Sequence, residues 1–159
     1  MALSWRGWRK RNSDPTDPVM AVTEGDQDIN LAIGRARSTL DVFFAQLANP
    51  KPNQEGFLVK VRFSRGADVE HIWLADLAIT NRRMRGVIAS EPHLPGLSFM
   101  KNVSFKKDQI TDWMYIDDKC LVGGFTTRVL RARMRPAGDW RLLGRPRFLE
   151  ISAVAPCSW

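Results

Sequence analysis

The stretch from Asp108 to Arg133 (DQITDWMYIDDKCLVGGFTTRVLRAR) constrains the fold more than any other part of the sequence. Large side chains alternate in it with the two-residue period of a β-strand. They are Ile110, Met114 and Ile116 on one side, and Thr111, Trp113 and Tyr115 on the other. Asp117-Asp118-Lys119 then predicts a turn, because Asp tolerates positive φ. Gly123-Gly124 ends the return strand, so the stretch predicts a hairpin followed by a short helix.

A long amphipathic helix is predicted for residues 26–48. Asp26 or Asp28 is a suitable N-cap, and Asn49-Pro50 ends the helix because the residue before proline avoids the α region. Apolar residues recur between these signals at spacings of three and four, which traces one helix face. They are Ile29, Ile33, Ala36, Leu40, Phe43 and Leu47. A stripe of this width predicts that the helix covers a sheet.

The sheet is predicted from three further runs at residues 57–64, 69–79 and 84–90, with Val103 and Phe105 leading into the hairpin. Short turns between runs spaced 10–15 residues apart, as here, favour an antiparallel meander. The fold class predicted is α+β. Its N-terminal amphipathic helix packs on a strongly twisted antiparallel sheet or small open barrel, and a short C-terminal helix follows.

Charge and composition divide the chain into three parts. We predict that residues 1–25 form a flexible leader and that residues 26–136 form a single α+β domain. Residues 137–159 form a basic tail for which the sequence predicts no regular structure. Residues 125–159 hold seven Lys/Arg and two Asp/Glu, so most of the net charge of +7 lies at the end of the chain. We expect no membrane span, since no run reaches about 18 apolar residues. Two cysteines favour a reducing cytoplasm over a disulfide framework.

Five separated segments carry a resemblance to the YegJ-like bacterial proteins, a family with a domain of unknown function. They are an AxxxARxTLxxF helix at Ala32–Phe43, FLVKVRF at Phe57–Phe63, EHIWL at Glu70–Leu74, DQITDWMY at Asp108–Tyr115 and LVGGFTTRVL at Leu121–Leu130. Asp118 stands where the family often has Gly, and the chain beyond Pro136 departs from the family pattern. The resemblance implies a compact bacterial domain, cytoplasmic or envelope-associated and sometimes joined to repeat domains. It implies no established catalytic activity.

Three ionisable residues are candidates for catalysis, with His71 as a general base and Glu70 or Asp112 as its carboxylate partner. Glu70 and His71 point to opposite faces of a strand, and a hydrogen-bonded structural histidine is the alternative interpretation. Asp112 shares its predicted face with Ile110 and Met114, so a buried ion pair is the alternative for this residue. The candidate cations are Arg62, Arg85 and Arg128.

No metal site and no cofactor are predicted. His71 and His93 are the only histidines and lie 22 residues apart, and Cys120 and Cys157 have no CxxC spacing. Gly123-Gly124 matches neither a dinucleotide fingerprint nor a P-loop.

Aromatic residues on the predicted sheet favour a role in binding. Trp73, Trp113 and Tyr115 are expected on one face of neighbouring strands, where they would anchor a protein partner, with Arg128 and Asp112 setting polarity at the edge. Packing of these large rings in the core is the alternative.

The leading functional hypothesis is therefore a non-catalytic protein-binding module. One alternative is a small hydrolase-like or transferase-like enzyme that uses His71 with a carboxylate. The other is weak nucleic-acid binding through basic residues at Arg6–Arg11 and Arg128–Arg147, which the nearly neutral centre of the chain disfavours. The sequence predicts neither the identity of the partner nor the oligomeric state.

Overall fold

The structure, a computed structural model, describes residues 25–134. The predicted leader, apart from Gly25, and the predicted basic tail lie outside the described residues. Helices and strands occur in the following order: α1 Gln27–Ser38, α2 Leu40–Ala48, β1 Gln54–Arg65, β2 Asp68–Ile79, β3 Met84–Ile88, β4 Asn102–Phe105, a 3-10 turn Lys107–Gln109, β5 Ile110–Asp117, β6 Cys120–Gly123 and α3 Phe125–Met134.

The six strands form one antiparallel sheet in the order β4-β3-β2-β1-β5-β6. The predicted meander holds from β1 to β4, and β5 then returns to pair with the free side of β1. The sheet is not closed, since β4 and β6 stand at its two edges. Because the helices pack on this antiparallel sheet, the predicted α+β class is confirmed. Within residues 25–134, no helix combines the length and the hydropathy needed to cross a membrane.

The predicted first helix is two helices that meet at Thr39. Its φ and ψ of −111° and 8° depart from helical values, and its hydroxyl donates to the carbonyl of Arg35 at 2.8 Å. A Thr hydroxyl bonded four residues back competes with the helix backbone and favours a bend. The predicted N-cap at Asp26 is confirmed, because its side chain accepts from the amide of Ile29 at 3.2 Å. The bend keeps the apolar residues of both helices directed at the sheet.

The main core lies between α1, α2 and one face of the sheet. Trp113 is completely buried there, and its indole nitrogen donates to the carbonyl of Ala36 at 2.9 Å. Its ring centroid lies 5.4 Å from that of Phe43. A second, smaller apolar cluster occupies the other face, with Leu58 and Met114 at its centre. Strand β5 therefore has buried side chains on both faces.

The β5–β6 hairpin turns at Asp118 and Lys119, which have φ values of 47° and 65°. Two consecutive positive φ values are typical of a two-residue type I′ turn, which matches the twist of the flanking strands. At the other end of β6, Gly123 has a φ of 78° and touches Trp113. A Cβ atom at Gly123 would lie 2.3 Å from the carbonyl oxygen of Trp113, so only glycine fits.

Candidate functional site

Asp112 forms the centre of a buried polar cluster. Its carboxylate accepts hydrogen bonds from the amides of Trp113 at 2.8 Å, Phe125 at 3.0 Å and Thr126 at 2.8 Å. The hydroxyl of Thr126 donates to the same group at 2.5 Å. Two of these amides belong to the first turn of α3, where an anion satisfies unpaired N–H groups and complements the helix dipole. A strand residue thus caps α3 from 13 and 14 positions upstream.

Lys60 completes this cluster from the neighbouring strand. It lies directly opposite Asp112 in the β1–β5 ladder, and its ammonium donates to the Thr126 hydroxyl at 2.7 Å. The same ammonium lies 4.7 Å from the ring centroid of Trp73, within the range of a cation–π contact. The cation predicted among Arg62, Arg85 and Arg128 is therefore Lys60. It could have been found from FLVKVRF, where Lys60 alternates with core residues.

Burial opposes the charges of both ionisable groups in the cluster. Removal from water raises the pKa of Asp112 above its ordinary range, and the charge of Lys60 and the Thr126 hydrogen bonds act against this rise. Removal from water likewise lowers the pKa of Lys60, while the charge of Asp112 raises it. The Thr126 hydroxyl connects the two, since it accepts from Lys60 and donates to Asp112. Each group in the cluster is therefore bonded to another member or to α3.

These hydrogen bonds indicate that the cluster supports the start of α3. Among residues 25–134, every fully buried side-chain nitrogen or oxygen has a hydrogen-bond partner. Two buried charges bridged by a hydroxyl are retained at a desolvation cost, and removing one of them leaves the other without a compensating charge. The arrangement joins β1, β5 and α3 at a single point.

The two other catalytic candidates have separate roles. The carboxylate of Glu70 accepts from the amides of His93 and Leu94 at 2.9 Å and so anchors the loop between β3 and β4. The Nδ1 atom of His71 lies 2.9 Å from the Thr111 hydroxyl. Glu70 thus accepts hydrogen bonds from backbone amides of the loop between β3 and β4. Asp112 accepts from backbone amides and from the Thr126 hydroxyl. Within the described chain, no group of three or more His, Cys, Asp or Glu side chains is arranged to hold a metal ion.

The aromatic residues predicted as a recognition face lie on two different faces. Trp113 pairs with Val59 and Trp73 pairs with Lys60, and adjacent residues of β1 point in opposite directions. Trp113 and Tyr115 are 0% and 5% exposed, and Phe57 stacks on Tyr115 at 4.9 Å. These two rings therefore pack in the core and offer no surface to a partner, and Trp73 lies beneath Lys60 on the other face.

Arg128 closes one edge of the sheet. Because the amide of Gly124 donates to the Trp113 carbonyl, alternation along β6 directs the carbonyls of Leu121 and Gly123 away from β5. The Arg128 guanidinium donates to both, at 3.0 Å and 2.8 Å. Arg128 was predicted to contact a binding partner, and in the structure its guanidinium contacts the outer side of β6 in the same chain.

The opposite edge, β4, has a different character. The amide of Ile88 donates to the carbonyl of Lys101, so Val103 and Phe105 direct their backbone groups toward β3. Alternation then directs the backbone N–H and C=O groups of Asn102 and Ser104 outward. Both residues are exposed, and no described strand pairs with the outer side of β4. An unpaired row of backbone donors and acceptors is a template for a further strand.

An open antiparallel sheet with α1 and α2 on one face, one edge closed by an arginine and the other open, defines a small α+β domain. The chain belongs to a bacterial family described as "Uncharacterized protein conserved in bacteria (DUF2314)", whose sequence model matches residues 26–139. The resemblance to YegJ-like proteins is thereby confirmed.

Two relatives share about the same level of identity with this chain. The uncharacterized protein YegJ of Escherichia coli (strain K12) is 30% identical over 115 residues, which cover 72% of this chain and 74% of the relative. The putative ankyrin repeat protein NMB1133/NMB1171 of Neisseria meningitidis serogroup B (strain ATCC BAA-335 / MC58) is 30% identical over 125 residues. That match covers 73% of this chain but only 49% of the relative. No solved structure gives a significant match.

Proposed function

We propose that this chain is a non-catalytic protein-binding module. The observation that carries the proposal is the difference between the two edges of the sheet. Arg128 occupies the outward carbonyls of β6, whereas Asn102 and Ser104 of β4 leave backbone donors and acceptors exposed. Edge strands that natural proteins leave open attract other chains, and sheet edges are a recurrent site of peptide recognition.

The bonding of the ionisable candidates also supports a binding role. Glu70 anchors a loop, and Lys60, Asp112 and Thr126 satisfy one another beneath the surface. Trp113 and Tyr115 belong to the main core, and we expect its packing to keep the sheet rigid. A rigid sheet with an open edge is pre-organised for association, because little conformational freedom is lost on binding.

A relative named for ankyrin repeats is consistent with this role. The matched region is about half of that protein, so the domain occurs there beside additional sequence. Ankyrin repeats stack into extended binding surfaces. The proposal includes a cytoplasmic location for the present chain, which is based on its two cysteines.

Site-specific photocrosslinking tests the proposal. A photoreactive phenylalanine analogue is placed at Asn102, on the open edge, in the full chain expressed in bacterial cells. Ser64 is the matched control position, because it is also an exposed polar strand residue but belongs to the interior strand β1. We expect discrete adducts with another protein from position 102 and none from position 64. Equal adducts from both positions, or none from either, would contradict a binding role for the open edge.

A further inference from the structure

The open edge has a distribution of charge that indicates which kind of partner it binds. Arg85 lies directly opposite Ser104 in the β3–β4 ladder, so the two side chains share a face of the sheet. Lys106 follows two residues after Ser104 with an extended backbone, at φ −108° and ψ 157°, and so continues on that face. Both cations are exposed, and neither has an ion-pair partner within residues 25–134.

The other face of the same edge is apolar. Val103 is partly buried and Phe105 is 5% exposed, and both pack against the main core. A strand added beside β4 would therefore have one row of side chains beside Val103 and Phe105. Its other row would lie within reach of Arg85 and Lys106.

We propose, on the basis of the protein-binding function above, that β4 accepts an extended acidic segment of another protein as a seventh strand. In that segment, Asp or Glu alternates with apolar residues. The backbone groups of Asn102 and Ser104 pair with the segment, the carboxylates contact Arg85 and Lys106, and the apolar side chains extend the core face. Backbone pairing provides affinity, and the alternating side chains provide selectivity.

A second copy of this chain is a poor occupant of the edge. Lys101 and Lys106 flank β4 on either side. Two β4 strands paired to each other would bring these lysines of both copies into one ribbon, and like charges on paired strands oppose association. An acidic segment reverses the sign of the same interaction.

The probe for this proposal is a seven-residue peptide of alternating valine and glutamate with blocked ends, titrated into the full chain by calorimetry. A peptide with lysine in place of glutamate is its control. We expect the acidic peptide to bind, its affinity to fall as salt increases, and the lysine peptide not to bind. Amide hydrogen exchange should slow at Asn102 and Ser104 in the presence of the acidic peptide.

Two variants of the chain separate edge pairing from general attraction to a basic protein. Ser104→Pro removes an outward N–H while leaving the β3–β4 bonds of Val103 and Phe105 in place, and should abolish binding. The double substitution Arg85→Glu with Lys106→Glu should weaken binding by about tenfold or more.

The matched control is Lys51→Glu with Arg131→Glu, which alters the net charge equally at exposed positions remote from β4. Its affinity should be close to that of the unmodified chain. Equal weakening by both charge reversals, protection of amides elsewhere, or concentration-dependent dimers blocked by Ser104→Pro would overturn the inference. Adducts at position 102 together with an unbound acidic peptide would leave the protein-binding function intact and overturn only the acidic strand.

Discussion

Replacing Asp112 by alanine tests whether the buried polar cluster holds the fold together. The substitution removes the acceptor of three amides and one hydroxyl, and it leaves the buried ammonium of Lys60 without its anion. Lys60 and Asp112 are connected through the Thr126 hydroxyl. Leaving a buried charge without its partner costs about 3–5 kcal/mol. Because domains of this size unfold with roughly 5–15 kcal/mol, the loss is a large part of the total.

The free energy of unfolding is measured by urea titration followed by circular dichroism, with the slope used to check that unfolding stays two-state. Asp41→Ala is the matched control, because Asp41 forms an ion pair with Lys107 but its side chain is 88% exposed. An exposed pair contributes about 1 kcal/mol or less. If Asp112→Ala costs no more than this control, the structural role assigned to the cluster is refuted.

A double-mutant cycle then isolates the interaction with Lys60. Adding Lys60→Met to Asp112→Ala removes the stranded charge, so we expect the double variant to be more stable than the sum of the two single losses. The interaction energy should be about 1–3 kcal/mol, and strictly additive losses would show that the two groups do not interact.

The pH dependence of stability gives the same cycle a second readout. Burial raises the folded-state pKa of Asp112 above its ordinary value of 3.8, so the folded state retains a proton that the unfolded state has lost. Stability from this group therefore decreases as the pH rises from 3.8 through the raised pKa. Burial lowers the folded-state pKa of Lys60. The contribution of Lys60 to the free energy of unfolding therefore increases as the pH rises from that lowered pKa toward 10.5. Both slopes should be absent from the double variant.

Three other predictions follow from single contacts. Gly123→Ala should cost about 2–5 kcal/mol in urea unfolding, because it adds a steric clash to the strain of a positive φ; Gly66→Ala, with a similar φ but open space around it, should cost only about 1–2 kcal/mol. Arg128→Ala should uncover the β6 edge and increase self-association in analytical ultracentrifugation, whereas Arg131→Ala should not. Asp26, whose pKa an arginine of α3 lowers to about 2, should contribute stability above pH 3.8 that is lost as the pH falls toward 2.

Local patterns in the sequence predicted most of the secondary structure. The alternation around Trp113, the turn at Asp118 and the N-cap at Asp26 depend on neighbouring residues, and the structure has each of them where the sequence indicated. The break at Thr39 was missed because the apolar spacing continues across it. A hydroxyl that bonds back to the preceding turn leaves no mark on that spacing.

The contents of each sheet face were harder to predict because they depend on register between strands. A shift in the ladder between Lys60 and Val61 places Ile110 opposite Val61, although Asp112 lies opposite Lys60. Ile110 therefore joins the main core while Asp112 faces the other side, which a strict two-residue period cannot show. The same dependence on register separated Trp73 from Trp113. Pairing partners far apart in the sequence decided both outcomes.

The helix cap at α3 illustrates a further limit of local reasoning. Thr126 and Thr127 are the local residues that predict a cap, yet the acceptor is Asp112, on a strand that precedes β6. Thr126 instead connects Asp112 to Lys60 through its hydroxyl. The cap exists because β6 is only four residues long, so the chain returns past Asp112 as α3 begins.

The two edges of the sheet connect this local geometry to function. The Gly123-Gly124 pair lets the chain leave β6 and enter α3 at once, which brings Arg128 back along the strand that it has just left. No such return follows β4, because the 3-10 turn carries the chain away from it to start β5 on the far side of β1. Closure of one edge is thus a consequence of the connection that follows it. The connection after β4 leaves an exposed pairing surface beside Arg85 and Lys106, which have no ion-pair partner among residues 25–134. Short length and flanking lysines protect an edge strand from pairing with a second copy of the same chain, and the same positive charges suit β4 to the acidic segment proposed above.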